Sequence, residues 1–260
     1  MRKPEPILVA HLFAPLHEEL LALLRSLTPD EWNAPTAAGA WTVKDVAAHL
    51  LDTSLRRLSM HRDGYTPSLP FEDLTSFVNG MNASAVAYAR RLSPEVLIDL
   101  HARYGAQQVE LFESLDPFAP AKWSVSWAGE DESPSWFDVA RELTERWHHQ
   151  QQIRDAAGRP PLYDTYLAPV LDTFVRALPY TYRDVSGGPL VLRVVEEGAG
   201  EWSLARGTLY SGAAPDPAAV VTMRGDRAWR LFTRQKIDPE ARVEGDATLA
   251  EPLLKMVAII

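Results

Sequence analysis

The periodicity of the apolar residues changes once along this chain, after the segment RPPLYD at residues 159–164, and that change restricts the fold to two differently built halves. Before it, apolar side chains recur at the three- and four-residue intervals of amphipathic helices; after it, β-branched runs alternate with Gly-containing turns. A boundary near residue 162 is expected, with a helical domain over 1–162 and an α+β domain over 163–260. A length of 260 residues is enough for two cores, and a cut near Pro160-Pro161 is expected to leave a helical part that folds alone.

Five helices are expected in the first half. Leu20, Leu21, Leu24 and Leu27 form the stripe of a helix around 6–27, which Thr28-Pro29 breaks, and DEWNAPTAAGAW reads as a loop up to Trp41. Thr42 followed by Asp45 has the spacing of a capping box, and the helix it opens is expected to run to about His61. Val43, Ala47, Leu50, Leu51 and Leu58 make its stripe, with His49 to one side near Val46 and Thr53. A third helix is expected over 71–92, weakened at Gly80, and Ser93-Pro94-Glu95 opens a fourth that runs to about Leu115. Residues 116–134, with Trp123 and Trp127, have no period and read as a long ordered loop that could line a pocket mouth. Ser135, with Asp138 as capping partner, opens the fifth helix, and Gly158 with its following prolines closes it.

In the second half a helix over 167–178 precedes GPLVLRVVEEGAGEWSLARGTLYSG, which reads as antiparallel strands. The run over 218–235 reads as strand, turn and helix, ARVEGD as a further strand, and ATLAEPLLKMVAII as a last helix.

A net charge of −9 argues against a nucleic-acid-binding surface, whose footprint is a basic stripe. There is no cysteine, so disulfides and a protein thiol nucleophile are excluded, and any thiol chemistry must use an external thiol. The N-terminal apolar stretch is interrupted by His11, His17, Glu18 and Glu19 before it reaches a spanning length and has no signal-cleavage pattern. No membrane association is expected, and a cytoplasmic location is.

The fifth helix carries the chemistry. Glu145 and His149 stand about 40° and 6 Å apart on an α-helix, so their side chains can converge on one ion. Spacing does not choose between His148 and His149, because i+3 and i+4 both share a face with Glu145. His49, inside another helical pattern, is the third candidate. Two imidazoles and a carboxylate suit zinc and leave a fourth position open; nickel, manganese or iron are also compatible. Trp136, Ala140, Leu143 and Trp147 form the apolar stripe of this helix, with Glu145, His149 and Gln152 opposite, and a surface face would give the same pattern as a cavity lining. His11, His17, His61 and His101 read as surface or capping residues, Asp52 and Arg56 as a surface ion pair, and Arg224, Arg227, Arg230 and Arg234 mostly as solvated.

WTVKDVAAHLLD at 41–52 followed by ERWHHQQQIRDAAGRP at 145–160 resembles the DinB-like superfamily, and in particular the mycothiol-dependent maleylpyruvate isomerase-like family. The resemblance implies an N-terminal four-helix bundle and a divalent metal. HQQQI is similar to the HRGQI of DinB-like proteins, which implies that His149 is the imidazole ligand on the last helix, with Glu145 and His49 completing the set. Many isomerase-like members carry Asp three residues after that ligand, where this chain has Gln152. The C-terminal GDRAWRLFTRQ and VEGDATLAEPLL resemble the sterol-carrier-protein-like domain of the isomerase branch. The implied fold is thus an all-α bundle followed by a small α+β sterol-carrier-like domain. The implied function is a transferase or isomerase that uses a metal, a low-molecular-weight thiol such as mycothiol, and an electrophilic small molecule. The rival readings are a metal-dependent hydrolase and a non-enzymatic, stress-related ligand-binding protein; spacing leaves the oligomeric state, monomer or homodimer, open.

Overall fold

The computed structural model describes residues 1–65 and 73–259. By their packing the described residues form two compact units, one of Ala10–Asp116 with Arg146–Pro161, the other of Met1–Val9, Pro117–Glu145 and Leu162–Ile260.

In the first unit a 3-10 turn at Ala10–Leu12 leads into α1 (Phe13–Arg25), followed by α2 (Pro29–Trp32), α3 (Val43–Arg56), a π-helical segment (Arg57–Arg62), α4 (Leu74–Ala89) and α5 (Pro94–Ser114). The first helix starts later than the expected residue 6. Pro4 and Pro6 disfavour a helix there, and Arg2, in the Met1–Val9 segment of the sheet-bearing unit, exchanges backbone hydrogen bonds of 3.0 and 2.9 Å with Ser211 of the same unit. The stretch expected as a loop up to Trp41 instead begins with the short helix α2, whose signal is local: Thr28 and Glu31 form a reciprocal capping box with Pro29 at the first turn. The same device opens α3, where the Asp45 amide donates to the Thr42 hydroxyl and the Thr42 amide to Asp45. Ser93 caps α5, with Pro94 at its first turn. The expected start of the third helix, Phe71 and Glu72, lies outside the described residues.

The stripes converge on one core. Leu24, Val43, Val46, Ala47, Leu50, Leu97 and Ile153 are fully buried in it, with Leu20 and Trp32 beside them and Leu27 partly covered. Each of the large aliphatic side chains contributes roughly 1.5–3 kcal/mol through removal from water.

In the second unit α6 begins at Ser135 and runs to Ala156 in the first; the Ser135 and Trp136 amides donate to the Ala119 and Pro117 carbonyls at 2.8 Å. The preceding stretch is irregular but tied down: the Val125 amide donates to the Ser133 hydroxyl, and Trp127 packs edge-on against Phe137 at 5.9 Å. After α7 (Leu167–Phe174) and α8 (Leu178–Thr181) come β1 (Leu190–Val195), β2 (Gly200–Ala205), β3 (Thr208–Ser211), β4 (Ala219–Arg224), α9 (Gly225–Phe232), β5 (Arg242–Gly245) and α10 (Ala247–Leu254). The sheet order is β3-β2-β1-β4-β5, antiparallel except for the parallel β1–β4 pair. Arg206 and Gly207, both at positive φ, make the two-residue turn between β2 and β3. The central strand begins with the buried run Leu190, Val191 and Leu192, as a strand covered on both faces should.

Candidate metal centre

Helix α6 decides what the site is made of. Its sequence is polar, yet every position from Glu142 to Arg154 is buried except the partly exposed Glu145. A solvated face is therefore excluded for these residues, and each buried polar group needs a partner. Gln150 donates to the Leu16 carbonyl at 3.1 Å, Arg154 pairs with Glu19 at 2.7 Å and donates to the Pro160 carbonyl, and Arg146 donates to the Ser54 hydroxyl and the Leu50 carbonyl. Ser54 in turn donates to Gln108 at 3.0 Å. The helix ends on a Schellman arrangement: Arg159 N–H reaches the Arg154 carbonyl at 2.8 Å, and Gly158 takes φ +62 at little cost because it has no Cβ.

Within this helix Glu145 and His149 point towards His49 of α3, and one ligand atom from each of the three lies within 4.8 Å of the other two. Two ligands of a tetrahedral zinc, each about 2.1 Å from the ion, stand about 3.4 Å apart, so rotamer adjustment alone would close the set. His49 is 3% exposed. Its ring lies 4.7 Å from that of His149, and Trp41 lies 5.1 Å from His49 and 6.3 Å from His149. Trp41 thus walls one side of both imidazoles. The sequence offered no signal for this, because a residue just before a capping box has no helical face to be assigned to. His149 Nδ1 lies 2.7 Å from Gln152 Oε1. His148 is also buried, with its ring 4.0 Å from that of His149, but it is not one of the three converging residues.

The donor set fits a divalent cation: two imidazoles, one carboxylate, a largely buried setting and a hydrogen-bonded imidazole. The remaining candidates fall elsewhere. His17 and His101 are not surface residues but buried in the helical unit. His101 bonds the Ala47 carbonyl at 2.9 Å, and burial pulls its pKa down to about 3 despite that bond; burial, with Arg146, also lowers that of His17. The Asp52–Arg56 pair forms at 2.8 Å but is only about one-fifth exposed, and burial raises the Asp52 pKa against the opposing pull of Arg56 and His49. Arg224 lies among Glu196, Glu197 and Asp226, and Arg227 pairs with Glu240, so both guanidinium groups are neutralised locally; Arg230 stacks over Trp229.

Residues 13–154, more than half of the chain, match the family model described as the mycothiol maleylpyruvate isomerase N-terminal domain. Two solved structures share the fold. A crystal structure of the mycothiol-dependent maleylpyruvate isomerase superposes with TM-score 0.59 at 16% identity, covering 93% of each chain. A histidine-to-alanine mutant of that enzyme superposes with TM-score 0.54 at 15% identity, over 87% of this chain and 86% of the other. No curated protein matches the chain by sequence.

Proposed function

Because the chain belongs to the mycothiol maleylpyruvate isomerase N-terminal domain family, we propose that it is a metal-dependent enzyme that joins a low-molecular-weight thiol of the mycothiol class to an electrophilic small molecule, as an isomerase or transferase. The observation that carries the reading is the convergence of His49, Glu145 and His149 from distant parts of a chain that has no cysteine. A bound divalent cation, for which zinc suits this ligand set best, would lower the pKa of a coordinated thiol.

The chain's own residues supply the rest. His49 and His149 donate as neutral imidazoles and Glu145 adds one negative charge, so the three leave a divalent ion partly uncompensated and attractive to an anionic fourth ligand. Partial exposure of Glu145 beside two buried histidines is what an open fourth position reached from solvent requires. Trp41 keeps water from one side of the imidazole pair. The α+β unit we read as the sterol-carrier-like domain of this branch. No described helix is long and apolar enough to cross a membrane.

The test is turnover of maleylpyruvate, and then of simpler electrophiles, by the full chain with and without mycothiol. Turnover that requires the thiol and stops when the metal is chelated is expected. Turnover independent of added thiol would instead place the chemistry on bound hydroxide, and the proposal would fail.

A further inference from the structure

His149 is held by a second residue whose chemistry sets how it can act. Its Nδ1 lies 2.7 Å from Oε1 of Gln152, and both side chains are buried. An amide oxygen has lone pairs and no proton, so this bond requires the hydrogen to sit on Nδ1. In the neutral ring the remaining lone pair then sits on Nε2. Three residues of helix separate the two by about 4.5 Å of rise on neighbouring faces, so the contact needs no backbone distortion.

We infer that Gln152 is the positioning residue of the candidate metal centre: it locks His149 in the Nδ1–H tautomer and at one ring angle, so that Nε2 is the ligand atom. The inference rests on the metal-site reading proposed above. Two consequences separate this role from mere filling of space. An acceptor on Nδ1 makes the opposite nitrogen a better donor, as carboxylates and carbonyls do behind other metal-bound histidines. A neutral amide achieves this without adding charge, so Glu145 remains the single negative ligand and a bound divalent ion retains a net positive charge, which a thiolate can neutralise. A carboxylate at 152 would keep the tautomer but remove that charge. Gln152 therefore sets both the orientation of His149 and the charge that the site offers its fourth ligand.

The experiment uses the full chain, 15N-labelled at histidine, and Zn2+ as the only added ligand. Long-range 1H–15N spectra of the metal-free protein, with His149 identified by its loss in His149→Gln, read the tautomer directly; zinc affinity is read by competition with a chromogenic chelator. The Nδ1–H tautomer is expected in the wild type. Gln152→Leu should lose that single tautomer and bind zinc about 10–100-fold more weakly. Gln152→Glu should keep the tautomer and bind zinc at least as tightly as the wild type. An Nε2–H ring at His149 in a wild type that binds zinc would overturn the inference alone, as would Gln152→Leu with unchanged tautomer and affinity. Absence of zinc binding in the wild type would overturn the metal reading beneath it. If Gln152→Leu does not fold, the wild-type tautomer and the Gln152→Glu affinity still decide the matter.

Discussion

Removing His49 is the sharpest perturbation of the candidate centre. It takes away the only converging ligand that does not lie on α6 and leaves Glu145 and His149 as an i,i+4 pair on a single helix. A four-ligand zinc site contributes about 10–16 kcal/mol, or roughly 2.5–4 kcal/mol per ligand. At 1.4 kcal/mol per factor of ten, His49→Ala should weaken binding by about two to three orders of magnitude. The fold should tolerate the change. His49 is buried beside Trp41 and His149, so truncation leaves a small cavity and costs about 2–3 kcal/mol, while the capping box of α3 and the core around Val46 and Leu50 are untouched. Zinc titration against a chelator, with far-UV circular dichroism of the same samples, measures both quantities. His148→Ala should retain the metal with nearly unchanged affinity. If metal content is unchanged in His49→Ala, or is lost in His148→Ala and retained in His149→Ala, the reasoning is refuted.

The buried histidines predict a pH dependence of a given sign. His101 and His17 both have folded pKa values below 6.5, so the unfolded chain binds more protons in acid; stability is full above about pH 6.5 and falls as pH drops towards the His101 value near 3. Urea midpoints should show this slope, and His101→Leu should flatten it. Asp45 acts lower on the scale: burial raises its pKa, but Arg90 and the Thr42 cap outweigh it and hold it low, so its contribution is present above about pH 4 and is lost in stronger acid. Asp45→Asn should remove only this share of the loss below about pH 4 and leave zinc affinity unchanged. Gly105→Ala places a Cβ 2.1 Å from the His17 ring in the packing of α1 on α5, and a loss of about 1–3 kcal/mol in denaturant unfolding is expected without any change in metal content.

What the sequence determined by itself was local. The capping boxes at Thr42 and the N-cap at Ser93 are satisfied within three residues, the Gly158 terminus within the last turn of its helix, and the Arg206-Gly207 turn within two residues, so neighbours alone specify them. The period change near residue 162 likewise follows from which side chains each half can bury. Glu145, His149 and Gln152 share a face by helical geometry, and the family resemblance selected His149 where spacing could not. Tertiary structure decided what that face meets. A polar face against solvent and a polar face in the interior read the same in sequence, and only packing showed that α6 is enclosed, that Trp41 covers the two imidazoles, and that His17 and His101 are core residues. Packing also placed Met1–Val9 and Pro117–Glu145 with the sheet-bearing unit, because backbone pairing such as that of Arg2 with Ser211 joins residues that no periodicity relates. The physical reason is the same in each case: hydrogen bonds to near neighbours depend on residue type and spacing, whereas burial and long-range convergence depend on the whole chain having closed around them.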